Sequence, residues 1–319
     1  MSSSASSQSP PKAIEPYNSI FQRPWWLDAV APGQWKALEV NRGGQLVARM
    51  PIAVERKLGQ TLIAKPRLTQ TLGPWLLPTD VKQSTRLTQE KEWMTELIDQ
   101  LPPFSYFCQN FDYSVQNWYP FYLRGFEATV FYTYVIEDLS DMDKVVSGYD
   151  SKTRNTIRKG RNEISVRSDL GVEVLWDMTC KSFACSGNVP PYSFEFLARL
   201  HAACEANNAC KLFFSEDSDG NVHGGLLVVH DEMSAYYLVG GSDPKFRQSA
   251  GYSLLVHEAI EYASTVSKVF NFEGSMVEPI ERFMRGFGGT QKPIITVRGY
   301  SRMMRLYRHL REAGRRAAG

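Results

Sequence analysis

The sequence has few of the residues from which disulfide frameworks, metal sites and membrane spans are built. It contains five cysteines and five histidines in 319 residues. An odd cysteine count without a Cys-x-x-Cys pair argues against a disulfide framework and a zinc ribbon, and no histidine pair has ligand spacing. No stretch approaches the ~18 consecutive apolar residues that a transmembrane helix needs. We therefore expect a cytoplasmic protein with reduced thiols, no metal site and no transmembrane segment.

A strong excess of charge is also missing. The formal net charge is +2, with 22% charged and 43% hydrophobic residues, which is the composition of an ordinary globular protein. A nucleic acid would therefore need a local basic patch for contact. Residues 1–15 are rich in serine and lack an apolar core, so we predict a disordered segment and no secretory signal.

Hydrophobic periodicity and turn residues predict an α+β fold in two units, residues 16–137 and 138–300, followed by a basic helix over 301–319. We expect each unit to be a mixed, mostly antiparallel sheet flanked by helices. The predicted strands are 35–41, 46–55, 60–64, 104–109, 129–136, 171–175, 210–216, 222–230, 234–239, 268–272 and 294–297. The predicted helices are 24–30, 85–101, 141–149, 152–163, 179–186, 193–207, 249–267 and 301–319.

The start of the long helix at 249–267 is a first candidate site. Residues 246–255 read FRQSAGYSLL, which places Arg247, Gln248, Gly251 and Ser253 around the first turn. A helix start offers unpaired N–H groups and the positive end of the dipole, and glycine allows close approach, so this turn suits a pyrophosphate. The alternative is an ordinary helix start capped by Ser249.

Two basic segments are further candidates. Residues 151–161 read SKTRNTIRKGR, and Arg154, Arg158 and Arg161 fall on one helical face beside Lys152. Such a face could hold phosphates or a nucleic-acid backbone, and a solvated basic helix is the alternative. In the tail, arginines recur every three residues, a stripe suited to tRNA, a phospholipid surface or a phosphorylated substrate. These are Arg302, Arg305, Arg308 and Arg311.

The stretch FNFEGSMVEPIERFMRGFGG, residues 270–289, places a carboxylate where an apolar strand ends. Side-chain alternation puts Asn271 and Glu273 on one face of that strand. A carboxyl group at an apolar edge should have a raised pKa, which suits a general base. The alternatives are that Glu273 caps the next turn or pairs with Arg282 or Arg285.

The order of these motifs resembles the GNAT acyltransferase superfamily. Gln248-x-x-Gly251-x-Ser253 is similar to its Q/R-x-x-G-x-G/A signature, which holds the pyrophosphate of acyl-CoA, with serine in the last position. Residues 151–161 are similar to the helix that opens the second domain of Fem-like proteins. This branch attaches amino acids to peptidoglycan precursors from aminoacyl-tRNA, and relatives act in antibiotic biosynthesis. The resemblance covers about 138–297, and residues 17–135 match in layout only.

The resemblance implies two GNAT-like domains, a degenerate one at 16–137 and an acyltransferase domain at 138–300. It implies a donor that enters where the strands after the long helix part. The implied catalytic residues are Glu273 and Asn271. The implied donor-binding residues are Arg247, Gln248, Gly251, Ser253, Tyr236 and Tyr237. The residues implied to bind the acceptor or a phosphate are Lys152, Arg154, Arg158 and Arg285.

One departure bears on the donor. Fem-like aminoacyl transferases often carry F-K-x-x-F in the helix after the catalytic strand, whereas this chain has Met284 in place of the lysine. Arg285 lies ~100° further around a helix. Acyl-CoA, an acyl carrier protein and aminoacyl-tRNA all stay open as co-substrates, with no permanent cofactor expected. The acceptor would be an amine of a cell-wall precursor, a polysaccharide or a natural product. A non-catalytic binding protein is the alternative function.

Overall fold

The computed structural model describes residues 15–306. The predicted disordered segment and the tail beyond Leu306, with Arg308 and Arg311, lie outside the described residues. The strands are β1 (Trp35–Arg42), β2 (Gln45–Lys57), β3 (Gln60–Ala64), β4 (Trp75–Leu76), β5 (Tyr106–Asn110), β6 (Glu127–Ile136), β7 (Ile164–Arg167), β8 (Cys210–Asp217), β9 (Val222–His230), β10 (Ser234–Ser242), β11 (Val269–Asn271) and β12 (Thr290–Tyr300). The helices are α1 (Pro24–Val30), α2 (Gln83–Asp99), α3 (Tyr119–Leu123), α4 (Met142–Gly148), α5 (Ser151–Glu163), α6 (Val172–Ala184), α7 (Phe194–Ala206), α8 (Gly251–Val266) and α9 (Glu278–Arg285).

The strands form one mixed sheet flanked by helices, which confirms the predicted α+β class. Eleven of them follow the order β1-β2-β3-β5-β12-β6-β11-β10-β9-β8-β7, and β4 pairs with β2 off this path. The β3–β5 and β10–β11 pairs are parallel. Strand β12 lies between β5 and β6 and is antiparallel to both. The last strand therefore joins the first half of the chain to the second.

Alternation along the central strands gives the sheet two apolar faces. On β9, Leu227 and Val229 pack with α1, α6 and α7 on one face. Their neighbours Leu226 and Val228 pack with α4, α5, α8 and α9 on the other face. A third core holds α2 and α3 against the strands of the first half. Helix α1, at the beginning of the described chain, thus packs on the second half of the sheet.

The prediction of a strand over residues 171–175 is wrong, because this segment opens helix α6. The alternating pattern Val-Glu-Val is typical of a strand, but the buried positions are Val172, Leu175, Met178 and Thr179, which have helical spacing. Helix α6 packs closely on β10. A Cβ atom added to Gly241 of β10 would lie 2.6 Å from the backbone oxygen of Met178.

We predict that Gly241→Ala lowers the free energy of unfolding by about 1–3 kcal/mol, because α6 and β10 must separate to admit the methyl group. Urea unfolding followed by far-UV circular dichroism measures this change. Gly148→Ala is the matched control, since nothing lies within 4 Å of a Cβ atom added there. Equal stability of the two variants would contradict the close packing of α6 on β10.

Candidate active site

The pairing of the parallel strands β10 and β11 ends close to the candidate catalytic residue Glu273. Strands β10 and β11 pair at Ser234–Val269, Ala235–Phe270 and Tyr236–Asn271, after which β11 ends while β10 runs on to Ser242. On its other edge, the register of β10 with β9 shifts between Tyr237 and Val239. A bulge of this kind bends a strand. The pairing of β10 with β11 thus ends at the point where the resemblance places the entry of the donor.

Glu273 lies in a tight turn just beyond β11. Its φ is +60° and that of Gly274 is +69°, so both adopt the left-handed conformation. A Cβ atom on Gly274 would lie 2.6 Å from Thr133 Cα of β6, so a side chain does not fit there. The alternation argument for Asn271 and Glu273 is therefore wrong, because the strand ends before Glu273.

Asn271 and Glu273 are nevertheless adjacent, because the buried Asn271 side chain holds the turn. Its Oδ1 atom accepts a hydrogen bond from Thr133 Oγ1 at 2.6 Å and another from the backbone N–H of Glu273 at 2.9 Å. Asn271 is 2% exposed. The geometry fixes the backbone of Glu273 and leaves its carboxyl group free to project from the turn.

Glu273 lines a cavity of about 320 Å³. Its Oε1 atom is shielded from solvent and has no hydrogen-bond partner among the described residues. Burial raises the pKa of Glu273 to about 8, and the Lys65 cation opposes this rise. The suggested pairing with Arg282 or Arg285 is wrong, since these residues bind Glu278 at 2.7 Å and Glu281 at 3.0 Å on their own helix.

The opposite wall of this cavity comes from the first half of the chain. Lys65, Gln70, Cys108 and Asn110 line it together with Glu273. Burial lowers the pKa of Lys65, and the Glu273 charge opposes this effect. Sequence reasoning missed these residues, because no local pattern shows that loop 65–73 faces a residue two hundred positions later. The adjacency follows from the strand order β3-β5-β12-β6-β11.

The two tyrosines predicted beside the donor lie on opposite faces of β10. Tyr236 is buried against Phe21 at a ring distance of 4.8 Å. Tyr237 is partly exposed, and its hydroxyl group hydrogen-bonds to that of Tyr252 on α8. Tyr192, which sequence reasoning missed, has its pKa raised to about 12 by burial and by the nearby charges of Cys180, Glu273 and Tyr237. Tyr192 therefore lies near both Tyr237 and the carboxyl group.

Helix α8 begins at Gly251, two residues after the predicted start. Gly251 is buried and donates its N–H to Ser249 Oγ at 3.2 Å. That oxygen is 2.8 Å from His223 Nδ1, and His223 Nε2 is 3.0 Å from Asp217 Oδ2. This hydrogen-bonded chain anchors the first turn to the β8–β9 hairpin. Among the remaining predicted donor-binding residues, Arg247 and Gln248 are exposed and Ser253 is partly exposed.

Two of the three arginines predicted on one face of α5 bind neighbouring elements. Arg154 donates to the carbonyl oxygens of Ser147 and Tyr149 at the end of α4. Arg161 Nη2 lies 2.9 Å from His257 Nε2 on α8. Arg158 donates to Asn155 within its own helix at 3.0 Å.

Two lysines of α5 lie beside the start of α8. The exposed side chains of Lys152 and Lys159 line, with Gln248, a surface cavity of about 560 Å³ between the two helices. These two lysines therefore supply positive charge beside the predicted donor site.

The described part of the tail contacts the first half of the chain. Residues 302–306 are helical, and Arg305 Nη2 donates to Gly125 O at 2.7 Å. Arg285 is exposed and pairs with Glu281. Within residues 15–306, no cluster of three histidine, cysteine or acidic side chains is arranged to hold a metal ion. No helix in the same range has the length and apolar character needed to cross a bilayer.

Residues 151–267 match the family model described as the acetyltransferase (GNAT) domain. A search of curated protein sequences finds no match. Among solved structures, FemX superposes with a TM-score of 0.68 at 13% identity, covering 88% of this chain and 92% of FemX.

Two further structures share the fold. The C-terminal domain of a putative lysylphosphatidylglycerol synthetase from Agrobacterium fabrum has a TM-score of 0.52 at 9% identity, covering 89% of this chain and 90% of that domain. A tandem GNAT protein from the clavulanic acid biosynthesis pathway has a TM-score of 0.51 at 10% identity, covering 86% of this chain and 93% of that protein. Residues 151–267 thus match the GNAT acetyltransferase model, and the chain shares its fold with FemX and this tandem GNAT protein, as the order of its motifs predicts.

Proposed function

We propose that this protein is an N-acyltransferase that moves an acyl or aminoacyl group directly from an activated donor to an amine. The observation that carries the proposal is the Glu273 carboxyl group, which has a pKa of about 8, lies just beyond the end of the β10–β11 pairing and has an Oε1 atom without a hydrogen-bond partner among the described residues. A carboxyl group with such a pKa is suited to accept a proton near neutral pH. Asn271 would act as a positioning residue through its bond to the Glu273 N–H.

In the proposed reaction the amine nitrogen attacks the donor carbonyl carbon, and ionised Glu273 takes the proton that this nitrogen releases. The new C–N bond forms as the bond to the donor sulfur or oxygen breaks, so no covalent enzyme intermediate is needed. Backbone N–H groups of β10 beyond Tyr236, where the pairing with β11 has ended, would stabilise the oxyanion. Tyr237 and Tyr192 would line the path of the acyl group.

The donor that we favour is acyl-CoA. The acetyltransferase family model includes the start of α8, where Gln248 and Lys152 would receive the donor phosphates, with Arg247, Gly251 and Ser253 beside them. Met284, which replaces the lysine of Fem-like enzymes, is 6% exposed and offers no charge to aminoacyl-tRNA. An acyl carrier protein has the same pantetheine arm and is a second candidate donor.

The acceptor that we propose is an amine of a cell-wall precursor, a polysaccharide or a natural product in the cytoplasm. The exposed Arg158 and Arg285 would hold a phosphate of such an acceptor, whereas Arg154 is occupied by the end of α4. The two halves of the chain, divided near residue 138 as the sequence predicts, would then both contribute to catalysis. Lys65 from the first half would tune the pKa of Glu273.

Replacing the proposed base tests the chemistry. We expect Glu273→Gln to lower kcat by ~10²–10⁴-fold while the Kd for CoA stays unchanged, because the amide keeps the shape and cannot accept the proton. Steady-state acetylation of a panel of amines and calorimetric CoA titration measure the two quantities. Glu278→Gln is the matched control, since that carboxylate is exposed on α9. Unchanged turnover in the Glu273→Gln variant would favour the alternative of a protein that only binds its ligands.

The pH profile tests the effect of the Lys65 charge on the pKa of Glu273. We expect kcat/KM to rise with pH around a midpoint near 8, because Glu273 must lose its proton before it acts as base. The Lys65 cation stabilises the carboxylate, so Lys65→Met should raise the Glu273 pKa and move the midpoint to higher pH. Lys57→Met, on an exposed residue, should leave it in place. A midpoint that falls or stays fixed in the Lys65 variant would contradict this electrostatic role.

Ligand-induced stabilisation tests the donor. At a CoA concentration of 100 times its Kd, we expect about 2.7 kcal/mol of added stability, seen as a higher Tm. Lys152→Ala should weaken CoA binding several-fold, because a phosphate contact is lost. The matched control is Lys144→Ala, at an exposed position of α4, which should leave CoA binding unchanged. Stabilisation by charged tRNA and none by CoA would instead identify an aminoacyl-tRNA donor.

A further inference from the structure

The cavity that holds Glu273 contains a second side chain without a partner. Gln70 lines the same cavity and is 8% exposed. Neither Nε2 nor Oε1 of its amide has a hydrogen-bond partner among the described residues. Leaving such a group buried and unbonded is unfavourable, and native structures seldom do so without a reason. A ligand that supplies the missing bonds would provide that reason.

The segment around Gln70 is held in place from both sides. Thr69 Oγ1 accepts from Trp26 Nε1 at 3.1 Å, and the Thr69 carbonyl accepts from Lys65 Nζ at 3.1 Å. The Gln70 carbonyl accepts from Asn110 Nδ2 at 3.1 Å. Thr71 Oγ1 lies 3.3 Å from Ser19 Oγ. Three successive residues of this segment are therefore anchored, while the side-chain amide of Gln70 has no partner among the described residues.

We propose that Gln70 selects acceptors that carry a carboxamide or peptide group next to the reacting amine. This inference rests on the proposed function, because it assigns the Glu273 cavity to the acceptor. The Gln70 side chain offers an N–H donor group and a carbonyl acceptor in one plane, which is the complement of another amide. The acceptor amine reaches Glu273 while the neighbouring amide pairs with Gln70.

The donor and acceptor atoms of the Gln70 amide disfavour two other kinds of acceptor. A carboxylate next to the amine presents acceptors only, so it would leave the Gln70 Oε1 atom facing a negative oxygen. An alkyl group in that place would leave both amide atoms unbonded and buried. A site built to hydrogen-bond its substrate rejects analogues that lack the group, because its own polar atoms are then left unpaired. A cavity of about 320 Å³ has room for an amino-acid amide or for the first residues of a peptide.

Three small amines of similar size test the proposal by direct binding, without turnover. L-Alaninamide, L-alanine and isopropylamine differ only in the group beside the amine. In calorimetric or NMR titrations of the full-length protein we expect alaninamide to bind about tenfold more tightly than either of the others. Gln70→Met should remove this preference and leave isopropylamine binding unchanged. The proposal is overturned if alaninamide has no advantage in the wild-type protein.

Two further variants separate recognition from structure. Gln60→Met, on an exposed residue of β3, should keep the preference for alaninamide. Because the Gln70 amide has no partner within residues 15–306, Gln70→Met should not lower Tm, and a clear fall would assign the side chain a structural role. Gln70→Glu retains the shape and loses the N–H donors, so it should also lose alaninamide binding.

Turnover then distinguishes this inference from the proposed function. Gln70-dependent binding of alaninamide without acylation by any donor would reject the transferase activity and leave the amide site in place. Acylation of all three amines with equal kcat/KM would support the transferase and reject the role of Gln70.

Discussion

The structure of the site depends on one buried carboxyl group and the turn that presents it. Glu273 follows directly on the three-residue strand β11, in a left-handed conformation that costs a non-glycine residue about 1–3 kcal/mol. The turn persists because Asn271 binds the Glu273 N–H from inside the sheet and because Gly274 passes close to the backbone of β6. The turn places the Glu273 carboxyl group in a buried environment, and this burial raises its pKa.

The assembly of the sheet supplies the rest of the cavity. Strand β12 inserts between β5 and β6, which brings the loop after β3 opposite the end of β11. The loop contributes a lysine whose charge opposes the effect of burial on Glu273 and a glutamine with an unsatisfied amide. Neither half of the chain contains this cavity alone. The match to the GNAT acetyltransferase model covers residues 151–267, which include the predicted donor site, whereas the cavity beside Glu273 takes side chains from both halves.

At the start of α8, the local sequence places the helix, and residues distant in the sequence hold its first turn. The spacing of Gln248, Gly251 and Ser253 marks the first turn of the helix, and the structure has a helix beginning at Gly251. That turn is held by hydrogen bonds that run from Ser249 through His223 to Asp217 on the preceding hairpin. No spacing rule connects these three residues, because they lie on separate elements. Likewise, the arginines of α5 share a face as predicted, yet neighbouring elements occupy two of them.

The sequence by itself determined the mixed α+β class, most helices and strands, the resemblance to GNAT and Fem-like proteins, and the position of Glu273 at the end of an apolar strand. These features are local, since periodicity, turn residues and motif order are set by neighbours along the chain. Only the tertiary structure decided that residues 172–175 are helical, that β12 extends over Thr290–Tyr300, and that Lys65 and Gln70 line the same cavity as Glu273. Each of these depends on which distant surface a segment packs against, and burial and pairing across a sheet leave no periodic trace in the segment itself.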